Sequence, residues 1–398
     1  MKQLRKTLLA VSIAASCTTP LFADEKMPTK PGVPTFGQIM DASGIKISGY
    51  VDTSYTYLSG AGTFTGGSAS CSSPGIGGTS VNCNRVFDTE RNSFNLNMVN
   101  LTVSMLPAKG FGGLVDLNAG SDARAITSAG TVNDEFDVTQ GYLHFANGPF
   151  MAIAGKFVTL AGAEVIRGPD NLNFTRSILF GYAIPYTHTG VRTYFSVGDS
   201  MKFIVGVNNG WDVLRESAST VGGFVADGKT FELGAQFTPI KPLNISVVAY
   251  SGEEPGSTTI GRRDLVDVVA SYSISENLTV TLNADVAQQE DAIAVGSDAE
   301  WSGIAAYLNW KFADQWRIAF RAESFNDKDG YRTGVNMGSG GQTWSEATVT
   351  LAYLPSANAE IRLEGRYDKS DVATAFNMTD GTADDNQHSI GVQGIYKF

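Results

Sequence analysis

The chain is short of the residues on which soluble folds and enzymes usually depend, with 3 cysteines, 3 histidines and 13 prolines in 398 residues. His144, His188 and His388 fall on separate segments, none with the spacing of a nucleophile and its base. Ser389 follows His388 directly, so a strand would send the two to opposite faces. No enzyme activity and no cofactor are therefore expected. Basic charge is also scarce. The formal charge is −11 and becomes more negative once Lys2, Arg5 and Lys6 are set aside as part of a leader, which argues against a nucleic-acid partner. The loop acids Asp371, Asp380, Asp384 and Asp385 follow no calcium-loop order, so no metal site is expected. Beyond the leader there is no apolar run of about 18 residues, which excludes a helical membrane span.

What is present first is an export signal. A basic start, an apolar run from Leu8 to Ala15 and the small residue Ala23 predict a signal peptide over 1–23. Cys17 would suit a lipoprotein only if a large aliphatic residue stood three positions before it, where the chain has Ala14. Residues 24–44 then form a periplasmic arm or a small plug. Cys71 and Cys83 lie in a Gly/Ser-rich stretch and are expected to pair as a disulfide in an oxidising compartment; metal binding is the other use, with no histidine near in sequence.

The remainder, 45–398, reads as strand after strand at period two. An exported chain without a helical span still satisfies its backbone in lipid if the sheet closes, so the expected fold is all-β: a transmembrane, antiparallel, up-and-down barrel of about 16 strands. Short connections such as Asn147-Gly148-Pro149, Gly198-Asp199-Ser200 and Ala313-Asp314-Gln315 are turn formers and alternate with long ones. The long ones are expected near 59–92, 122–135, 161–186, 210–228, 253–262, 289–300, 327–343 and 370–385. Short turns face the periplasm and long loops the outside.

Aromatics at outward phase gather beside the short turns: Phe145, Phe195, Phe237, Tyr272, Trp310, Phe312, Trp316 and Tyr353. They predict a girdle at the inner membrane–water boundary. The last strand, ending Tyr396-Lys397-Phe398, is similar to the signal by which barrel-insertion machinery recognises its substrates, and marks Tyr396 and Phe398 as the barrel-closing pair. Near 94–103 the apolar phase switches from Phe94, Leu96 and Met98 to Val99, Leu101 and Val103, which predicts a bulge or an inward apolar patch.

Inward phase carries charge. In 359–368 one face consists of Glu360, Arg362, Glu364, Arg366 and Asp368. Burying so many ions dry would cost more than folding supplies, so they need water or close pairing. A barrel of this width has room for an aqueous channel. Asp116, Lys156, His188, Arg192, Arg317, Arg321, Glu323, Arg362, Glu364 and Arg366 are therefore candidate pore-lining residues, with a lumen closed by salt bridges and an inserted loop as the alternative. The connection 161–186 is the candidate constriction. It carries Glu164, Arg167, Asp170 and Arg176 and an apolar patch, Ile178 to Ile184, that water would not accept.

Three stretches, Gly155 to Ile166, Ser177 to Arg192 and Val207 to Asp212, resemble the putative beta-barrel porin-2 (OmpL-like) family of outer-membrane proteins. The resemblance spans nearly the whole chain after the leader and implies a porin of a Gram-negative outer membrane. Such a protein passes small hydrophilic solutes or ions by passive diffusion, in contact with lipid and lipopolysaccharide; by analogy with other barrels of this size a homotrimer is the expected assembly, with a monomer as the alternative. A substrate-selective channel, or a structural or adhesive barrel with a plugged lumen, are the alternatives. The Cys71 to Cys83 loop is not part of the resemblance.

Overall fold

The structure, a computed structural model, describes residues 35–59, 85–89, 92–129, 135–216, 220–221, 224–225, 227–378 and 382–398. The signal peptide, most of the arm, and Cys71 with Cys83 lie outside the described residues. Helix α1 (Phe36–Ser43) precedes the sheet.

Sixteen strands form the barrel: β1 (Lys46–Leu58), β2 (Ser93–Met105), β3 (Lys109–Ala119), β4 (Phe136–Asn147), β5 (Phe150–Val158), β6 (Thr187–Val197), β7 (Met201–Asn208) and β8 (Thr230–Ile240). They continue as β9 (Leu243–Pro255), β10 (Ile260–Ser275), β11 (Leu278–Ala294), β12 (Ser297–Ala313), β13 (Trp316–Asp327), β14 (Gln342–Ser356), β15 (Ala359–Ser370) and β16 (Asn386–Lys397). Every neighbour is antiparallel, and the sheet closes where Tyr50 to Leu58 of β1 pair with Ser389 to Lys397 of β16. Closure leaves no edge strand, which is what lets the backbone lie in hydrocarbon. Among the described residues no helix is long and apolar enough to cross a membrane.

Outward positions are apolar and exposed, as on Val266, Val268, Leu282, Val286, Ile304 and Phe320, while the alternate positions are polar or aromatic and buried inside. The predicted girdle rings touch along the periplasmic ends. Phe145 lies 4.8 Å from Phe111, Trp316 lies 4.9 Å from Tyr353, and Trp310 lies 5.7 Å from Phe312. The phase switch in β2 is a bulge: the register slips opposite Asp52 and Thr53, and both Asn97 and Met98 turn inward.

Two expected long loops are strand instead. β9 and β10 are joined across 256–259 and β11 and β12 across 295–296, so 253–262 and 289–300 are mostly ladder, with Glu254 opposite Gly261 and Gln289 opposite Ala299. Above the membrane an outward position need not be apolar, and Gln288 there donates to Asp264 at 3.1 Å; polarity therefore mimics a loop while the hydrogen bonds run on. The wall is tall at β11 and β12, 17 residues each, and low at β5 and β7, 9 and 8 residues. A short helix, α2 (Ser121–Ala125), follows β3.

Candidate functional site

The connection from β5 to β6 folds into the barrel. Its neck is closed by the Thr159 N–H donating to Tyr186 O at 2.9 Å, and beyond it the chain has no ladder partner. A buried main chain without a ladder must find other donors and acceptors. Inward side chains of the opposite wall supply them, and they sort by chemistry. Where the loop presents N–H groups, carboxylates accept: Glu364 takes Phe174 and Thr175 (2.6 and 2.9 Å), and Glu323 takes Ile178 and Leu179 (2.7 and 3.1 Å). Where it presents carbonyls, arginines donate. Arg362 reaches Asn171 O at 2.8 Å and Gly168 O and Asn173 O at 3.2 Å, while Arg366 reaches Arg176 O at 2.6 Å. The guanidinium bonds are of the stronger, charge-assisted kind.

The ions also neutralise one another. Arg321 bridges Glu164 of the loop (2.7 Å) and Glu346 of β14 (2.8 Å), Arg366 pairs with Asp368 (2.7 Å), and Glu360 lies between Arg362 (2.7 Å) and Arg317. The apolar patch is hidden in the barrel interior. Ile178, Leu179, Phe180, Tyr182 and Ile184 pack with Trp301, Tyr307, Phe325 and Trp344 of the wall. Trp301 Nε1 also donates to Ala183 O at 3.0 Å. Gly303 and Gly391 make room: a Cβ at either would stand 2.7 to 2.8 Å from Leu179 or Phe174.

All ten candidate pore-lining residues face the interior, and all but Arg317 are buried. Arg317, Arg321, Glu323, Arg362, Glu364 and Arg366 thus lie under the loop rather than along open water. Lys156 holds Asp137 at 3.1 Å, and Arg192 holds Glu232 at 2.7 Å beneath the face of Phe157. His188 stacks on Tyr250, its Nδ1 3.1 Å from Gly210 O. Asp116 stands apart, accepting from Thr102 at 2.8 Å. Of the loop's own charges, Arg167 joins Asp170 (2.9 Å) and Asn100 (2.9 Å), and Arg176 is turned back onto Ile166 O (2.7 Å), 3.9 Å from Asp122 of α2. Tyr396 and Phe398 sit outward and exposed.

Two loop acids are perturbed. Burial pushes Asp122 up to about 8, against partial relief from Arg176. Burial likewise pushes Asp212 up to about 6, offset by the N–H groups of Thr187 and Tyr186 that it accepts at 2.8 and 2.9 Å. Asp212 thereby ties the exit of the inserted loop to the connection after β7. Among the described residues no three metal-ligating side chains converge.

Sequence reading missed the inward aromatics Tyr250, Trp301, Tyr307, Phe325 and Trp344, which form the floor for the loop's patch. Their signal was phase: each sits on the lumen face, where a plain water channel has little use for large apolar rings.

The chain matches the family described as putative beta-barrel porin-2, OmpL-like, over residues 44–398. No curated relative matches it. Among solved structures it is similar to an anion-selective porin from Comamonas acidovorans, with 12% identity, 89% of this chain and 99% of that chain covered, and TM-score 0.58. It is also similar to OmpT of Vibrio cholerae in a trimer form, with 11% identity, 89% and 99% covered, and TM-score 0.57. A third is the outer membrane channel DcaP of Acinetobacter baumannii, with 13% identity, 89% and 97% covered, and TM-score 0.55. At these identities the likeness is one of fold.

Proposed function

Because the chain belongs to the putative beta-barrel porin-2, OmpL-like family, and is therefore a channel protein of a bacterial outer membrane, we propose that it passes small hydrophilic solutes by diffusion through a lumen narrowed by residues 161–186. The observation that carries this is the loop's fixation: its main chain is held on the β13–β15 wall by Arg362, Arg366, Glu323 and Glu364, so it is a rigid part of the interior. On the opposite side, β6 to β10, the inward residues are buried as well except toward the periplasmic turns, where Tyr194, Ser196, Lys202 and Gln236 are only partly so. In the periplasmic half of that side a cavity of about 400 Å³ remains. Diffusion requires no turnover, and no catalytic role is assigned to any residue.

Single-channel recording of the purified barrel in a planar bilayer tests the reading, with and without residues 164–184. Stepwise currents that grow on deletion are expected. The burial of the wall residues favours a second reading, a barrel closed at rest whose function lies in its outer loops. Silence from verified, folded barrels of both forms would select it.

The trimer-form Vibrio structure supports a further step, assembly as a homotrimer. The low wall at β5 to β7, with Val191, Phe203 and Val205 exposed, is the side proposed to face the partner subunits. Light scattering of the detergent complex, corrected for bound detergent, is expected to give three chains per particle; one chain would remove this step.

A further inference from the structure

The arginines along the lumen wall are held by carboxylates or carbonyl oxygens, and Lys156 by Asp137; Lys202 is not held in this way. It projects inward from β7, and its side chain is only partly buried. Among the described residues it has no carboxylate in ion-pair reach; its ammonium instead lies 6.0 Å from the ring centre of Tyr194, an inward residue of β6. The register builds a row around it. Ser196 stands opposite Lys202 on one side and Gln236 on the other, and Gln236 stands opposite Ser246. One step nearer the periplasm, Thr238 donates to Asn244 at 2.9 Å. These side chains line the cavity of about 400 Å³, and the only acid lining it is Asp199, in the β6–β7 turn, which makes no ion pair with Lys202.

A lining of hydroxyls and amides offers donors and acceptors, with Val269 as apolar surface and the partly buried ring of Tyr194 beyond the lining. An unneutralised ammonium adds one positive charge at a defined point. Chloride would use the charge alone and a neutral sugar the hydroxyls alone. We propose that this vestibule is a weak binding step for polyols carrying one carboxylate or phosphate, and that Lys202 is the residue that sets the preference for the anion. The proposal rests on the channel reading above and names the solute class for it. Opposite it, Arg317 and Arg362 are bound to Glu360, so the β13–β15 wall presents no competing free cation.

Binding is measured first, because it needs no open pore. Gluconate, sorbitol and acetate are titrated against the detergent-solubilised full barrel by saturation-transfer NMR, for wild type, Lys202→Gln and Lys202→Arg. Folding of each variant is checked by the heat-dependent band shift; Lys202 has no ion-pair partner to lose, and the arginine variant keeps the charge if glutamine perturbs the wall. Gluconate is expected to bind about tenfold more tightly than sorbitol or acetate, as one charge-assisted bond implies. Lys202→Gln should bring it down to the sorbitol level and Lys202→Arg should retain it. Equal gluconate binding by wild type and Lys202→Gln, or equal binding of gluconate and sorbitol by wild type, would overturn the proposal.

Reversal potentials in a potassium chloride gradient then separate the two readings. A shift toward cations in Lys202→Gln supports both. Lysine-dependent gluconate binding without current keeps the site and removes the channel. Current with a reversal potential that ignores Lys202 keeps the channel and removes the site.

Discussion

Removing the Arg362 guanidinium would leave the buried carbonyls of Asn171 and Asn173 without the donor that holds them and buried Glu360 with Arg317 alone as its cation. Orphaning a buried partner of this kind costs roughly 3–5 kcal/mol. Arg362→Met is therefore expected to lower the temperature of the heat-dependent band shift clearly, with Arg362→Lys intermediate because it keeps the charge but not the fork. An unchanged transition would mean that the loop is not held by this residue. Asp122 gives the opposite kind of prediction. Its carboxyl is pushed up to about 8 by burial, so between about pH 4 and about pH 8 the folded protein binds more protons there than the unfolded chain. Its contribution to stability is thus full in acid and is lost as pH rises through about 8. Asp122→Asn, which imitates the protonated acid, should cost little at pH 7 and flatten the pH dependence of unfolding over that window. A slope identical to wild type would show that Asp122 does not titrate there.

At the level of strands and loops, period two was enough wherever one face met lipid. Leu278 to Val286 alternates without a break and forms β11 with Asn283 and Asp285 inward. The reading failed where the wall rises above the membrane, since Gln288 to Glu290 and Ala299 to Trp301 carry strand hydrogen bonds with no apolar outward face to announce them. The inserted loop was legible as an apolar patch out of place, yet its seat was not. That seat depends on single glycines such as Gly391, whose missing Cβ admits the Phe174 ring. Gly391→Val would drive a side chain into that ring and lift the middle of the loop. Trypsin, which is expected to leave wild type intact at Arg167 and Arg176, should then cut there. Continued resistance in a folded Gly391→Val barrel would show that the loop does not depend on this contact.

For the whole molecule, sequence phase told which side chains enter the lumen but not what they meet. The contact of Glu164 with Arg321 joins residues 157 positions apart, and that of Arg362 with Asn171 spans 191 positions; neither follows from alternation. Ten charged or polar candidates were read as lining water, whereas six of them form one surface that receives a folded main chain. This division of labour has a consequence for folding. The ladder closes from β1 to β16 without using any residue of 161–186, so the barrel should form before the loop is seated. Deleting residues 164–184 would expose Arg321, Glu346, Arg362 and Glu360, which already pair among themselves and gain water when uncovered. The deleted form is thus expected to keep its strand signal in circular dichroism and its heat-dependent band shift, with a lower midpoint from the lost packing on Trp301 and Trp344. If it instead fails to fold, the loop acts as the barrel's hydrophobic core, and conductance of the deletion could not be read as a widened pore.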